Sequence, residues 1–224
     1  RIVRSSGVGE RMKEVNELFL QFTKDREFST ILADPPWQFK NRTGKMAPEH
    51  RRLARYETLK LPDIMEIPVA DCTSTTAHLY LWVPNALLAE GLKVMEAWGF
   101  SYKTNMVWYK IRKDGGPDRR GVGFYFRNVT ELVLFGVKGR MRTLAPGRSM
   151  PNIIVAPKRE HSRKPEELYE IIEKCSPGPY LEIFARTQHQ GWDAWGNETE
   201  KFPEPTPLRI FSENPLVLPS RDLL

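Results

Sequence analysis

The chain has few cysteines and no long apolar run. Among its 224 residues are two cysteines, Cys72 and Cys175, which lie far apart without the spacing of a metal site. We therefore expect reduced, structural thiols in an intracellular protein, and no bound metal. No apolar stretch is long enough to cross a membrane, and the sequence has neither internal repeats nor low-complexity tracts. These absences argue against disulfide-rich, zinc-binding, membrane-spanning and repeat proteins.

The composition is that of one globular domain with a basic surface. A chain of this length buries a sizeable core, and its 18 prolines favour many connections over long helices. The net charge of +6 suits a polyanionic partner. Many enzymes with other substrates have a similar charge, so charge alone does not identify the partner.

The most informative segment is Asp34-Pro35-Pro36-Trp37. It follows the apolar run Thr30-Ile31-Leu32-Ala33, which predicts a short buried strand. Two consecutive prolines cannot extend a β-ladder, so the chain leaves the sheet here and presents Asp34 at an edge. Each proline restricts the residue before it, which holds Asp34 and Pro35 in extended geometry with their carbonyl groups available as acceptors.

This arrangement suits the exocyclic amino group of a nucleobase. Such a nitrogen is a poor nucleophile because its lone pair is conjugated into the ring, and acceptors for both N–H groups draw that lone pair outward. The Asp34 carboxylate and the Pro35 carbonyl are placed to accept one hydrogen each. Trp37 offers a face on which a base rotated out of a duplex can stack. The alternative is an ordinary proline turn after a strand, with Asp34 capping a helix.

The rest of the pattern predicts an α/β fold. Apolar residues at helical spacing indicate helices over residues 9–24, 87–98 and 165–175. Apolar, β-rich runs indicate strands at residues 30–33, 78–83, 106–110, 131–137, 152–155 and 180–185. Such an alternation forms a sheet with helices on both faces, and its ligands bind at the carboxyl ends of the strands. We divide the chain into an N-terminal amphipathic helix with its lead-in (1–29), a main domain (30–200) and a proline-rich tail (201–224).

A long basic loop is predicted beside Asp34, over residues 38–60. The loop has few apolar side chains, and the basic residues that we expect to bind the substrate are Lys40, Arg42, Lys45, Arg51 and Arg52. Contacts of this kind go to phosphates, so they set affinity and salt dependence without selecting a sequence. A solvated loop is the alternative. In the run Phe124-Tyr125-Phe126-Arg127 we expect at least two rings to be buried, with stacking on a base as the alternative.

Several separated blocks agree with one known family. They occur in a consistent order over residues 30–199, and they are Asp34 to Trp37, the strand and helix from Leu79 to Phe100, His161-Ser162-Arg163-Lys164-Pro165, Leu181 to Arg186, Gly191-Trp192, and Trp195-Gly196-Asn197-Glu198. Together these blocks resemble the MT-A70 family of adenine-N6 methyltransferases. The match is specific because several blocks agree and not one motif alone.

The resemblance implies a Rossmann-like class I methyltransferase sheet that is circularly permuted, with the catalytic motif ahead of the cofactor strand. It implies S-adenosylmethionine as methyl donor and transfer to N6 of adenine in DNA or RNA. The long arginine-rich loop is closer to bacterial DNA-modifying members than to messenger-RNA-methylating ones, so we expect DNA. By family analogy we also expect a homodimer, or a heterodimer with a related methyltransferase-like subunit, in the bacterial cytoplasm or the eukaryotic nucleus.

By the same resemblance, the catalytic residues are Asp34, Pro35, Pro36 and Trp37. The cofactor is expected to contact Asp34, Lys164, Glu182, Arg186, Asn197 and Glu198, and the substrate pocket is expected to include Trp37, Asn128 and Glu131.

The residues alone leave alternatives open at these positions. Lys164 can stand in a basic surface turn, and Glu182 can be a core acid satisfied by arginine or backbone. Asn128 and Glu131 can belong to a turn that starts a strand. The glycine-rich turn of ordinary nucleotide-binding folds is missing after Phe184, so no glycine fingerprint identifies the cofactor.

Two alternative functions remain. An RNA methyltransferase differs in its substrate, which phosphate-binding loops do not discriminate. A non-catalytic nucleic-acid-binding subunit is typical of degenerate family members. The Asp34 motif, Lys164 and Asn197 are intact in this chain, and that favours an enzyme.

Overall fold

A seven-stranded mixed sheet organises the molecule. The computed structural model describes residues 6–38, 58–118, 125–159, 163–197 and 199–200. The strands within these residues are Phe28–Ala33 (β1), Thr73–Val83 (β2), Ser101–Ile111 (β3), Thr130–Lys138 (β4), Ile153–Pro157 (β5), Tyr180–Ile183 (β6) and Trp192–Trp195 (β7). Their order across the sheet is β5-β3-β4-β2-β1-β6-β7.

The strand directions place six carboxyl ends at one edge of the sheet. β4 runs antiparallel to both of its neighbours, whereas the other adjacent pairs are parallel. We call the edge at which β1, β2, β3, β5, β6 and β7 end the carboxyl edge. β4 begins at this edge because it runs the other way. The chain therefore enters β4 at the same edge at which it leaves the six parallel strands.

Strand β1 is an interior strand of the sheet, and it is apolar on both faces. Ile31 and Ala33 are fully buried in one core, and Leu32 is buried in the core on the opposite face. Continuous apolar runs of this kind are typical of parallel strands that are covered on both sides. β1 pairs with β2 on one side and with β6 on the other.

Helices cover both faces of the sheet, as expected. Within the described residues the α-helices are Ser6–Phe22 (α1), Leu61–Met65 (α2), Leu88–Ala97 (α3) and Glu167–Cys175 (α4). Phe19 of α1, Ile64 of α2 and Val94 of α3 belong to the core that contains Ile31. α4 packs on the other face through its buried Leu168 and Ile172.

α3 ends just ahead of Gly99. Gly99 has a φ of 81°, a left-handed conformation that glycine adopts without steric cost. The amide of Phe100 donates to the Met95 carbonyl at 2.9 Å, which closes the last turn. The helix predicted over residues 87–98 thus ends one residue from its expected end, just ahead of this glycine.

The sequence pattern predicted the longer elements and missed two short ones. The expected helices correspond to α1, α3 and α4, and the expected strands correspond to β1 through β6. β1 begins at Phe28, two residues before the expected start of the main domain. The α-helix and the strand that were not predicted are α2, with five residues, and β7, with four. Most of the basic loop and the tail 201–224 lie outside the described residues. None of the helices in the described ranges is both long and apolar enough to span a bilayer.

Candidate active site

The chain leaves β1 at Asp34, as the two prolines predict. Ala33 is paired with Leu81 of β2 and Ile183 of β6, and the Asp34 amide still donates to the Ile183 carbonyl at 3.3 Å. The backbone of Asp34 is therefore fixed by the central strands, while its side chain lies at the carboxyl edge. This explains why a single carboxylate can be held in a defined position here.

Two cations flank the Asp34 carboxylate. Lys164 Nζ lies 3.3 Å from Asp34 Oδ1, and Arg186 Nη1 lies 3.5 Å from Asp34 Oδ2. Lys164 precedes α4 and Arg186 follows β6, so two connections from different parts of the sequence converge on one acid. Both distances exceed those of a short charge-assisted hydrogen bond. The carboxylate is thus electrostatically held but not saturated by its partners.

The remaining residues of the proline motif form a rigid turn. The amide of Trp37 donates to the Pro35 carbonyl at 2.8 Å, and the amide of Leu59 donates to the Pro36 carbonyl at 2.9 Å. One lone pair of the Pro35 carbonyl is therefore already used inside the protein, and the second is left for a ligand. The contact with Leu59 also ties the two ends of the predicted basic loop together beside Asp34.

The Trp37 side chain is part of the core. Its ring is 7% exposed, and its indole N–H donates to the Trp82 carbonyl at 2.9 Å. The sequence predicted an open stacking face at this position, and the ring does not offer one in this structure. The physical reason is the apolar area of an indole, which is buried once its N–H has a partner.

A chain of alternating charges extends from Asp34 to β3. Lys164 Nζ lies 2.8 Å from Glu131 Oε2, and Lys110 Nζ lies 2.5 Å from Glu131 Oε1. Burial disfavours the charged carboxylate of Glu131, but the two lysines outweigh this and lower its pKa to about 2. Burial also opposes the charge of Lys164, and the carboxylates of Asp34 and Glu131 nevertheless raise its pKa. Both groups are charged at neutral pH.

Glu182 is a buried acid of a different kind. Its side chain on β6 is 8% exposed, and Tyr169 of α4 donates a hydrogen bond to its Oε2 at 2.7 Å. Burial raises the pKa of Glu182 to about 8, because the tyrosine hydrogen bond compensates for only part of the lost solvation. The group is therefore protonated at neutral pH, unlike Glu131.

The turn after β6 is strained and closely packed. Phe184 has a φ of 65°, which is uncommon for a residue with a side chain. The amide of Ala185 donates to the Trp195 carbonyl at 3.0 Å, so the turn is held against the end of β7. A Cβ atom on Gly196 would lie 2.5 Å from the Ala185 carbonyl oxygen, so glycine is needed at this point. Arg186 is positioned by this packing.

A cleft at the carboxyl edge joins these groups. Its lining includes the charged or polar Asp34, Lys164, Glu182 and Arg186, together with the apolar Leu32, Trp82 and Phe184. His189 also lines it, stacked on Tyr169 with ring centroids 4.3 Å apart. His189 Nδ1 is buried without a hydrogen-bond partner among the described residues. An orphaned polar atom in a cleft is a place where a ligand can donate or accept a hydrogen bond.

The structure brings together most of the predicted site residues that it describes. Asp34, Lys164, Glu182 and Arg186 line the same cleft, and Glu131 contacts Lys164. Asn128 and Asn197 are exposed near the carboxyl edge. The predicted residues that lie outside the described part of the chain are Lys40, Arg42, Lys45, Arg51, Arg52 and Glu198.

The prediction for the aromatic run was wrong. At least two of its three rings were expected to be buried, but Tyr125 is 95% exposed and Phe126 is 84% exposed. Tyr125 and Phe126 lie outside the sheet, just before β4 begins, and neither belongs to the two apolar cores of the described residues. Apolar rings indicate burial only when a neighbouring element covers them.

Sequence reasoning missed Lys110, Tyr169, His189 and Gly196. Lys110 had a weak signal, since a lysine that ends an apolar strand is seldom buried without a partner. Tyr169 and His189 had none, because their contacts depend on how α4 packs against the turns after β6. Gly196 stood within one of the blocks that resemble the family, but its packing role requires knowledge of the turn that it contacts.

The fold and the site define a class. A sheet with one antiparallel strand, an Asp-Pro-Pro-Trp motif after the interior strand β1, and a buried glutamate on the neighbouring strand β6 are the features of a permuted Rossmann-like methyltransferase. The sequence profile of the MT-A70 family matches residues 28–198. The chain therefore belongs to the MT-A70 family, whose members use S-adenosylmethionine.

Individual relatives include bacterial and eukaryotic enzymes. The type II methyltransferase M.MunI of Mycoplasma sp is 28% identical over 207 residues, which cover 84% of this chain and 84% of that protein. The N(6)-adenosine-methyltransferase MT-A70-like protein of Arabidopsis thaliana is 31% identical over 178 residues. The human N(6)-adenosine-methyltransferase catalytic subunit METTL3 is 29% identical over 180 residues.

The chain corresponds to different shares of these relatives. It spans 24% of the Arabidopsis protein and 28% of human METTL3, although the aligned regions cover 76% and 78% of this chain. The similarity to the eukaryotic proteins thus covers between 24% and 28% of their length. The similarity to M.MunI extends over most of both chains.

Proposed function

We propose that this chain transfers a methyl group from S-adenosylmethionine to N6 of adenine in DNA. The observation that carries the proposal is the Asp34 carboxylate, fixed at the carboxyl edge between Lys164 and Arg186. An acceptor held in this way can align an amino group with little reorganisation. Its backbone is fixed by β6, so the acceptor position does not depend on a mobile side chain alone.

The cleft fits the donors and acceptors of S-adenosylmethionine. Lys164 and Arg186 can bind a carboxylate and hydroxyl groups, and the buried His189 Nδ1 lacks a partner among the described residues. We propose that Lys164 holds the cofactor carboxylate and that Arg186, Asn197 and Glu198 hold its ribose and adenine. We also assign Glu182 and Asp34 to the cofactor site. When bound, this cofactor supplies a methyl group on a sulfonium sulfur that is already activated for transfer.

Asp34 acts as an acceptor and a positioning group. Its contacts with Lys164 and Arg186 are 3.3 and 3.5 Å long, so a substrate N–H can compete for the same carboxylate. The second lone pair of the Pro35 carbonyl is oriented by the Trp37 amide contact and takes the other N–H. A strong base is unnecessary, because N6 can lose its proton after transfer. Hydrogen bonds that strengthen as N6 becomes tetrahedral favour the transition state over bound substrate.

Trp37 contributes through the core and not through an open ring. Its buried indole, bonded to the Trp82 carbonyl, anchors the turn on which Asp34 and Pro35 lie. Pro36 restricts the same turn and accepts from Leu59. We propose that these two residues keep the acceptors in place while substrate enters and product leaves.

DNA is supported as the substrate by the extent of one similarity. M.MunI, a type II methyltransferase, matches this chain over 84% of both lengths, whereas the chain spans 24% and 28% of the Arabidopsis and human relatives. The basic loop gives a second argument, because both of its ends meet at Trp37 and Leu59 beside the site. Lys40, Arg42, Lys45, Arg51 and Arg52 lie between those ends in sequence, and we propose that they contact phosphates.

RNA is the second candidate. The Arabidopsis and human relatives are named as adenosine-N6 methyltransferases, and their identities of 31% and 29% are as high as that of M.MunI. The catalytic cleft does not distinguish the two polymers, since both carry the same adenine. The distinction depends on contacts to the sugar and to neighbouring bases.

The test is a methyl-transfer assay on three polymers in parallel. The purified chain receives labelled S-adenosylmethionine and double-stranded DNA, single-stranded DNA or RNA, with Asp34→Ala as the inactive control. We expect label in DNA adenines that is lost in the variant, while cofactor binding stays largely intact. Label in RNA alone would establish the second candidate.

The assay also separates an enzyme from a binding subunit. Cofactor binding without transfer to any polymer would contradict the proposal and would point to a chain that needs a second subunit or is itself the non-catalytic one.

A homodimer or heterodimer remains part of our proposal, as does a location in the bacterial cytoplasm or the eukaryotic nucleus, where the substrate is found.

A further inference from the structure

Two neighbouring aromatic side chains at the carboxyl edge are almost fully exposed. Tyr125 is 95% exposed and Phe126 is 84% exposed, whereas the next most exposed large apolar side chain among the described residues, Leu18, is 55% exposed. Exposed rings of this size carry a cost in water, because they leave apolar area unburied. A pair of them in sequence indicates a surface that is covered during function.

Their position relates them to the candidate active site. Phe126 stands four residues before Thr130, the first residue of β4, and β4 begins at the carboxyl edge. The next residue, Glu131, contacts Lys164, which in turn contacts Asp34. Five residues of chain span at most about 17 Å, so the Phe126 backbone lies within that distance of Glu131. Bases in one strand are spaced by roughly 3.4 Å, so this upper limit corresponds to about five nucleotides from Glu131.

The proposed reaction needs a stacking surface that Trp37 does not supply. A base that leaves the duplex loses its stacking on both sides, and so do the bases that it leaves behind. Aromatic side chains replace that stacking in many nucleic-acid-binding proteins. The Trp37 ring is 7% exposed and its N–H is bonded to Trp82. Other aromatic side chains must therefore supply the stacking that the sequence assigned to Trp37.

We propose that Tyr125 and Phe126 form a stacking platform for nucleic-acid bases beside the target adenine. The inference rests on the proposed function, because it assigns the rings to the substrate of the same site. Charge favours nucleic acid over a protein as the occupant. Arg127 is exposed next to the rings, and the exposed Lys158 follows β5 at the same edge. A polymer with phosphates beside its bases satisfies rings and cations together.

The experiment measures base stacking without turnover. The probes are two labelled single strands of about 16 nucleotides, one of oligo(dA) and one of the same length with abasic sugars in place of adenosines. Both carry the same phosphates, so their ratio of dissociation constants reports contact with bases alone. We expect the wild-type chain to bind oligo(dA) at least about ten-fold more tightly. The double variant Tyr125→Ala, Phe126→Ala loses most of this preference and keeps its affinity for the abasic strand.

A matched control uses an exposed aromatic at the opposite edge. Tyr102 is 45% exposed and stands at the start of β3, away from the carboxyl edge. Tyr102→Ala keeps the wild-type preference for oligo(dA). The conservative variant Tyr125→Trp, which preserves a stacking ring, also keeps it. Relative to the wild-type chain, which has six tryptophans, the fluorescence of this variant decreases when oligo(dA) is added but not when the abasic strand is added.

Clear outcomes overturn the inference. An unchanged preference in the double variant means that the rings do not contact bases. Equal losses for both strands, or a lower affinity for S-adenosylmethionine, mean that the substitutions act on the fold or the phosphate contacts. Failure of the proposed function is distinguishable, because an inactive wild-type chain fails the methyl-transfer assay whichever way the binding ratio changes.

Discussion

Asp34 combines two roles that a substitution can separate. Its carboxylate balances Lys164 and Arg186, and it is also the acceptor that we assign to the substrate amino group. Alanine removes both roles at once. Asparagine keeps the shape and one oxygen acceptor but places an amide N–H₂ group beside two cations.

We predict that Asp34→Asn lowers kcat by about a hundred-fold or more, which is the usual cost of removing a preorganised group from a polar active site. The affinity for S-adenosylmethionine changes much less. Single-turnover kinetics and calorimetric cofactor titration measure the two quantities. Asp71→Asn is the control, because Asp71 is exposed in the short 3-10 helix ahead of β2, at the opposite edge. A cofactor affinity that falls as far as the rate would contradict the assignment.

Glu182 makes the stability of the protein depend on pH. Its pKa in the folded protein is about 8, compared with 4.5 in a solvated chain, because burial disfavours the carboxylate. Between pH 4.5 and 8 the unfolded chain releases a proton that the folded chain retains. The contribution to stability is therefore complete below pH 4.5 and is lost as the pH rises toward 8.

Glu182→Gln should remove this pH dependence, since glutamine has no proton to release and can still accept the Tyr169 hydrogen bond. We predict that the variant gains stability relative to wild type as the pH rises from 5 to 8.5, by an amount on the order of a few kcal/mol. Urea denaturation at several pH values measures the difference. Glu96→Gln, an exposed position on α3, is the control. Parallel pH profiles for wild type and Glu182→Gln would show that Glu182 is not protonated in the folded chain.

At the scale of single elements, the junction of β6 and β7 sets the position of Arg186. The Ala185 amide contacts the Trp195 carbonyl, and Gly196 passes over the backbone of Ala185. The atoms in the way of a new Cβ are backbone N and O at 2.7 and 2.5 Å, which cannot rotate aside. A side chain here must separate the two strand ends.

We predict that Gly196→Ala destabilises the protein by about 1–3 kcal/mol and weakens cofactor binding at least several-fold, because Arg186 moves with the displaced turn. Thermal unfolding and cofactor titration test this. Gly116→Ala is the matched control, since its new Cβ meets the end of the flexible Arg112 side chain, which can move away. Equal effects of the two substitutions would indicate that the close approach at Gly196 is not rigid.

The elements differ in how far their sequences determine them. β1 and the apolar second half of β2 were predicted from their pattern alone, whereas the polar first residues of β2, from Thr73 to Thr76, were not. β7 was missed because Trp192-Asp193-Ala194-Trp195 is four residues long and exists through its pairing with β6. Lys110 and Glu131 are 21 residues apart, and they meet because β3 and β4 pair in one register. The local sequence of either strand does not indicate that register.

The part of the candidate site that could be predicted from local sequence rules is the Asp34-Pro35-Pro36-Trp37 motif. Asp34 lies where two prolines must end a strand, so its place at a sheet edge follows from local rules. The burial of Trp37 and the exposure of Tyr125 depend instead on which elements cover them. Those positions were assigned by residue type, and tertiary packing reversed both.

At the scale of the whole molecule, two groups of basic residues belong to segments that start from opposite edges of the sheet. The predicted phosphate-binding loop begins and ends beside Asp34, at Trp37 and Leu59. Arg140 and Arg142 are exposed just after β4 ends, which is at the opposite edge. If the net charge of +6 alone attracted nucleic acid, the loss of either pair of arginines would have the same effect.

We predict that the two edges are not equivalent. Replacing Arg51 and Arg52 by alanine should weaken binding of duplex DNA uniformly across sequences and reduce the slope of log Kd against log salt by about two, since each phosphate contact contributes roughly 0.9. Replacing Arg140 and Arg142, a change of the same net charge, should leave that slope near its wild-type value. Fluorescence anisotropy across a salt series measures both variants. Equal slopes in the two variants would mean that the loop is solvated. Its charge would then act on DNA by long-range attraction and not by direct contact.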